Sequence, residues 1–332
     1  MANLSVDTIS GIGTEGVVLD GGLKFRSLNY MTLPKGDTTQ RGRGRGLFNG
    51  GRVGNTVQFI NIQSQGNSID FGDDTGAAET IEGFGLSSST RAVFGGGVSN
   101  NAKMEFVTIA TTGNTASFGN LTVGRRSGCG MSNQTRGVIA GGLAPSASDV
   151  MDFITIAATG NATDFGDLTT ATSEAAGLAS PTRGIIAGGG SGGAATNTIE
   201  FITIASAGNA SNFGDLTVAA FGSAGSSSQT RGLIMAGYRS SIVVTTDFIT
   251  IASAGDATDF GDVTQARGYH AGVSNSTRGV SAGGNANPVA LNSNVIDYFD
   301  IATTGNANDF GDLLVASRVI HGASDSHGGL TE

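Results

Sequence analysis

The run Phe153-Ile154-Thr155-Ile156-Ala157, continued by Thr159-Gly160-Asn161-Ala162-Thr163-Asp164-Phe165-Gly166-Asp167-Leu168, decides the fold because it recurs. Close copies occupy 201–216, 248–263 and 298–313. Outward on the N-terminal side, each copy is preceded by an arginine turn and a short apolar strand ending in glycines. The opening arginines are Arg45, Arg91, Arg136, Arg183, Arg231 and Arg278, spaced by 46, 45, 47, 48 and 47 residues. A period of this length with four strand-like pieces is the signature of a β-propeller blade.

The third copy shows the pieces. Arg136-Gly137-Val138-Ile139-Ala140-Gly141-Gly142 is an apolar strand, B. Met151-Asp152-Phe153-Ile154-Thr155-Ile156-Ala157 alternates apolar and polar residues, as a half-buried strand does, and is strand C. A Gly-Asn turn leads to Thr163-Asp164-Phe165-Gly166-Asp167-Leu168-Thr169, strand D. Ala175-Ala176-Gly177-Leu178-Ala179-Ser180 is then strand A of the next blade. Strand A lies nearest the propeller axis, where crowding favours Gly, Ala and Ser. The outer strand D has room for a ring, so Phe71, Phe118, Phe165, Phe213, Phe260 and Phe310 are expected to pack between blades. Burying each ring stabilises by roughly 1.5–3 kcal/mol.

The first strand B, Gly46-Leu47-Phe48-Asn49-Gly50, has no strand A before it, while Val319-Ile320-His321-Gly322-Ala323-Ser324 is an unpaired A-type piece at the other end. Pairing the two closes the ring and removes both exposed sheet edges. The expectation is an all-β, six-bladed propeller of four-stranded blades over 45–332, closed by its C-terminal strand. Residues 1–44 lie outside the period and read as an attachment or oligomerisation arm.

Composition agrees. The 332 residues include 55 Gly and no Trp, and 11 of the 17 Phe fall at two repeat positions, which suits an array rather than one large core. Net charge is −9: 13 Lys+Arg against 23 Asp+Glu from residue 45 onward (−10), and 5 against 4 before it (+1). An acidic body argues against nucleic-acid binding. The tract Arg41-Gly42-Arg43-Gly44-Arg45-Gly46 therefore reads as a loop into blade 1. The single cysteine, Cys129, cannot form an intrachain disulfide. No basic segment followed by an apolar core opens the chain, and no apolar run nears ~18 residues, so neither a secretory leader nor membrane insertion is expected.

The turn arginines are expected to be struts, with carboxylates of their own blades as partners: Asp152 and Asp167, Glu200 and Asp215, Asp247 and Asp262. The Gly-Asn-x-x-Asp-Phe-Gly-Asp segments are oxygen-rich, and Ca²⁺ is conceivable there, but they lack an ordered acidic ligand series and read as Asx-turns. His270, His321 and His327 share no metal-ligand spacing. Gly188-Gly189-Gly190-Ser191-Gly192-Gly193 has no following Lys and is no phosphate loop. No catalytic constellation, metal or cofactor is expected.

Strand B with its paired glycines, the aromatic strand C and the ring on strand D resemble Kelch-type propellers. Phe165 and its equivalents stand where Kelch repeats usually carry Trp, and the glycine pair becomes Ala236-Gly237 in the fifth copy. The run 153–168 is more similar to repeats of structural and tail proteins of tailed bacteriophages, marine and cyanobacterial ones especially. That resemblance, over about 45–332, implies a virion component: a tail fibre, appendage or decoration protein. Its partners would be other virion proteins, itself through 1–44, and a host-surface receptor or glycan. The alternative is a cellular protein- or glycan-binding propeller; an enzyme would need convergent titratable groups that the repeat does not offer.

Binding positions should be those that do not repeat. The B–C connections differ in length and share a face with the D–A connections, whereas the A–B and C–D turns are uniform. The candidates on the B–C/D–A face are Lys103, Arg126, Tyr238, Arg239, Tyr269, His270 and Asn292.

Overall fold

The computed structural model describes residues 44–51, 54–76, 81–191, 194–286 and 291–330. The arm expected over 1–44 lies, Gly44 apart, outside them. The chain is a six-bladed β-propeller. Blade 3 runs A to D as Cys129–Ser132, Arg136–Ala140, Ser148–Thr155 and Thr163–Thr172, each strand antiparallel to the next. Blades 2, 4, 5 and 6 repeat this order, with strands A at Phe84–Ser87, Ala176–Ala179, Ala224–Ser227 and Ala271–Ser274. Blade 1 takes its strand A from the C-terminus: Ile320–Ser324 pairs with Arg45–Gly50 in the register Gly46↔Ser324 to Gly50↔Ile320, closing the ring as expected.

Burial follows from this geometry. Strand B is covered by blades on both sides, so Gly137–Ala140 are all buried, whereas strand D is mostly exposed and buries Phe165, Leu168 and Thr172. The cores lie between blades. Val138, Met151 and Phe165 of blade 3 pack with Ile186, Ile202 and Ile204 of blade 4. All six strand-D phenylalanines are buried, each edge-on to an aromatic of its own strand C, as Phe165 is to Phe153 at 6.1 Å.

The turn arginines are struts, but not to their own blades' carboxylates. Arg136 Nη1 donates to the Ile204 and Ala205 carbonyls of blade 4, 3.1 and 2.8 Å away. The guanidinium meanwhile lies 4.5 Å from the Phe153 ring centroid. Arg45, Arg91, Arg183, Arg231 and Arg278 do the same with Ile109, Ile156, Ile251, Ile301 and Ile62. Position explains the correction. The arginine starts strand B on the turn face, while Asp152 pairs with Ile139, near the strand's other end. There the carboxylate serves the preceding blade: Thr122 and Arg125 donate to Asp152, Thr169 to Glu200, Thr217 to Asp247, and Thr264 and Arg267 to Asp297.

The Gly-Asn turns are also inter-blade devices rather than simple Asx-turns. Asn161 Oδ1 accepts from the Asn120 N–H of blade 2 at 3.0 Å, and Asn209 Oδ1 from Asp167 N–H of blade 3 at 3.0 Å. The oxygen that suggested a cation ligand therefore faces a backbone donor. Among the described residues no three His, Cys, Asp or Glu are grouped to hold a metal.

At the axis the crowding is of backbone on backbone. A Cβ on Gly177 would stand 2.5 Å from the Gly130 carbonyl oxygen, and one on Gly225 would stand 2.2 Å from Gly177 O. Gly85, Gly130, Gly272 and Gly322 repeat the contact around the ring. Below them lies a serine ring. Each hydroxyl donates to the carbonyl one blade back: Ser132 to Ser87, Ser227 to Ala179, Ser274 to Ser227, Ser324 to Ser274 and Ser87 to Ser324. Ala179 breaks the ring and leaves Ser132 O without its hydroxyl. The C-terminal tail settles there: a Cβ on Gly329 would overlap Ser132 O. His327 Nδ1 accepts from Gly329 N–H (3.1 Å), so Nε2 carries the proton and donates to Ser87 O (3.0 Å). With Gly328 N–H on Ser227 O and Leu330 buried, the tail plugs the channel from the turn face.

Candidate recognition site at the channel mouth

The open end of the channel is built by the D–A connections. Two residues before the first aligned position of each strand A, the backbone turns into the left-handed region: Glu82 (φ 64°), Ser127 (55°), Glu174 (59°), Gly222 (64°), Tyr269 (54°) and Val319 (62°). The turn is fixed by a girdle of backbone hydrogen bonds. Ser127 N–H donates to Glu82 O, Glu174 to Ser127 O (2.8 Å), Gly222 to Glu174 O (2.8 Å), Tyr269 to Gly222 O (2.7 Å) and Val319 to Tyr269 O (2.8 Å). Left-handed backbone costs a non-glycine residue roughly 1–2 kcal/mol. One blade has the glycine this geometry favours; the other five hold a side chain at the mouth instead.

These side chains surround a cavity of about 130 Å³, lined also by Ser223, His321 and the axial glycines. Arg126 Nη1 lies 2.9 Å from Glu82 Oε2, so these two charges offset each other at the rim. Glu174 is different. Its Oε2 accepts from the Tyr269 hydroxyl at 3.1 Å, a neutral donor. Burial pushes the Glu174 carboxyl above its usual range, and the Glu82 charge adds to this. Burial first, then the Glu174 charge, likewise raises the Tyr269 phenol. Behind Tyr269, Tyr238 stacks on Phe221 (5.3 Å, 10°) and tilts against Tyr269 (5.1 Å), forming an aromatic wedge between blades 5 and 6. Asn285 Nδ2 donates to the Tyr238 hydroxyl.

The expected site residues divide. Arg126 and Tyr269 are at the mouth, and Tyr238 supports it. Arg239 is no free loop cation: its side chain is folded onto buried Asp247 at 3.5 Å, where Ala220 leaves room that Arg125 and Arg267 fill at other interfaces. His270 is not exposed. It is 6% accessible between blades 5 and 6, and burial with the nearby Arg267 charge holds its pKa down to about 3. Strand A alternates, and its preceding residue points into the blade interface, as Ile320 and Ser223 do. Lys103, exposed at the start of strand C of blade 2, and Asn292, paired with Asn285 on blade 6, do not line the mouth. Glu82, Ser127 and Glu174 were missed. The signal for them was their place immediately before Gly83-Phe84, Gly128-Cys129 and Ala175-Ala176, the position that Tyr269 holds before His270-Ala271.

Cys129 also borders the cavity, but its thiol lies 3.7 Å from the Ala140 carbonyl and burial pushes its pKa up to about 12, so it stays protonated. Compared with known protein families and with characterised proteins, the chain matches none.

Proposed function

We propose that the chain is a non-enzymatic structural protein of a tailed-bacteriophage virion, a fibre, appendage or decoration component, that uses the propeller for recognition. Residues 1–44 serve as its attachment segment, and the channel-mouth face meets a host-surface glycan or protein. The observation that carries the recognition half is the division of labour among residues. The repeating arginines, the C-strand carboxylates and the turn asparagines are engaged in contacts between blades, while Glu82, Arg126, Glu174 and Tyr269, which differ between copies, meet at one mouth. Loops on a rigid scaffold are the usual seat of recognition. The non-enzymatic half rests on the state of the titratable groups: a thiol kept protonated, a histidine buried between blades, and a carboxylate paired with arginine. The virion half rests on the repeat's resemblance to phage structural proteins.

Two measurements test it. Cryo-electron microscopy of native particles should place the propeller on the virion with its mouth outward. Purified protein should compete with particles for host cells, and a mouth variant should not. A chain found only as a free cellular monomer would overturn the virion reading.

A further inference from the structure

We propose that the channel mouth is a receptor for a primary ammonium group, with Glu174 as its counter-ion. The inference deepens the recognition reading and rests on it. The cavity is blind: its upper end opens among the D–A connections, and the C-terminal tail closes the channel below. A volume of about 130 Å³ is comparable to cavities that hold one small ring, so the site takes the end of a ligand, such as an aminomethyl group or a single amino-sugar ring.

The charge at the mouth selects the sign of that tip. Glu82 has Arg126 beside it, whereas the hydrogen bond made to Glu174 comes from a neutral phenol. Arg126 acts on Glu174 only at longer range and is already engaged by Glu82. An arriving anion would meet two carboxylates; an arriving cation would relieve the desolvated one. The Tyr269 ring beside Glu174 adds an aromatic surface of the kind that ammonium groups favour. Ser127 also lines the cavity, and its hydroxyl can accept from one of the ammonium's remaining N–H donors.

The backbone supports a ligand role for Glu174 in particular. Its left-handed conformation would be easier for glycine, which blade 5 uses at the equivalent Gly222. A glutamate there gains one hydrogen bond within the protein while its charge is made costly by burial. A ligand that carries the missing positive charge resolves that cost.

The test is isothermal titration calorimetry on the full chain with glucosamine, N-acetylglucosamine, glucose and Nα-acetyl-lysine amide. Glucosamine or the lysine derivative should bind, and N-acetylglucosamine and glucose should bind at least about tenfold more weakly, having lost a charge-assisted hydrogen bond. Binding of glucosamine alone assigns the source to an amino sugar, and of the lysine derivative alone to a peptide amine; either supports the proposal. Equal binding of glucose and glucosamine, or no binding by either amine, overturns it. Glu174→Gln should lose the amine affinity by a similar factor. Glu174→Gly should lose it while raising the melting temperature, which a merely structural carboxylate would not do. Host-cell competition by the same protein separates the two levels. If competition persists without amine binding, the ammonium assignment fails alone; if competition also fails, the recognition reading fails with it.

Discussion

Gly177→Ala tests whether backbone contact at the axis sets the size of the inner strand. Alanine is ordinarily the better strand residue, since it restricts the unfolded chain, a gain of about 0.4–1 kcal/mol. No left-handed φ opposes it at this position. The opposing effect is steric. The new Cβ would stand 2.5 Å from Gly130 O and 3.2 Å from Cys129 Cβ, where ordinary contact begins near 3.4 Å. The blocking atom is a backbone carbonyl of blade 3, itself held in a closed ring, so it cannot rotate away. Overpacking of this kind costs ~1–3 kcal/mol, leaving a net loss of about 1–2 kcal/mol. Residues 45–332 number 288 (332 − 44). With an unfolding entropy of ~2.1 cal/mol/K per residue, that loss lowers the melting temperature by about 2–3 °C. Gly160→Ala is the matched control, because a Cβ there meets nothing within 4 Å. It should leave the melting temperature unchanged or raise it. Differential scanning calorimetry of both variants decides the matter: equal shifts would refute the claim that the axial glycines are required by contact.

Three further outcomes are expected. Arg183→Lys should destabilise by about 1–2 kcal/mol in urea unfolding, because an ammonium cannot both lie flat over Phe201 and span the Ile251 and Ala252 carbonyls; an unchanged midpoint would count against the strut. Deleting residues 316–332 removes the inner strand of blade 1 and the channel plug together, so calorimetry should show a broadened, less cooperative transition; an unaltered one would contradict closure by the C-terminal strand. Acid should destabilise the fold through His270: its folded pKa of about 3 lies below its ordinary 6.5, so the unfolded chain binds more protons between these values. That stability is complete above pH 6.5 and is lost as pH falls toward 3, and His327, also held down by burial, acts in the same direction. His270→Ser, copying Ser223 of blade 5, should flatten the acid limb of a melting-temperature profile; an unchanged limb would place the acid sensitivity elsewhere.

The sequence disclosed the blade count, the four-strand order and the closing strand because each is enforced six times by the same physical demand. A ring at strand D, glycine near the axis and an arginine at the A–B turn are visible as types at fixed spacing. What did not show was the partner of each. Arg136 and Asp152 have opposite charges in one blade and looked like a pair, yet both act between blades and in opposite directions around the ring: Arg136 toward blade 4, Asp152 toward blade 2. Charge complementarity within a repeat carries no information about which of two neighbouring blades a side chain meets. Asn161 misled for the same reason, since its side-chain oxygen serves the preceding blade rather than its own turn.

The mouth was hidden by a different cause. His270 and Tyr269 are adjacent, polar and on the expected face, so residue type ranked them equally; strand alternation sends one between blades and the other to the rim. Residue type also passed over Glu174, an acidic residue in a connection where acidic residues are ordinary. What distinguishes it is conformational. The backbone at that position is left-handed in all six blades, whichever residue occupies it. A structural requirement that stays constant while the residue meeting it changes from Glu to Ser, Gly, Tyr and Val is not being optimised for the fold alone. In a repeat protein the scaffold is therefore read from positions where the copies agree, and recognition from positions where the backbone agrees and the side chains do not.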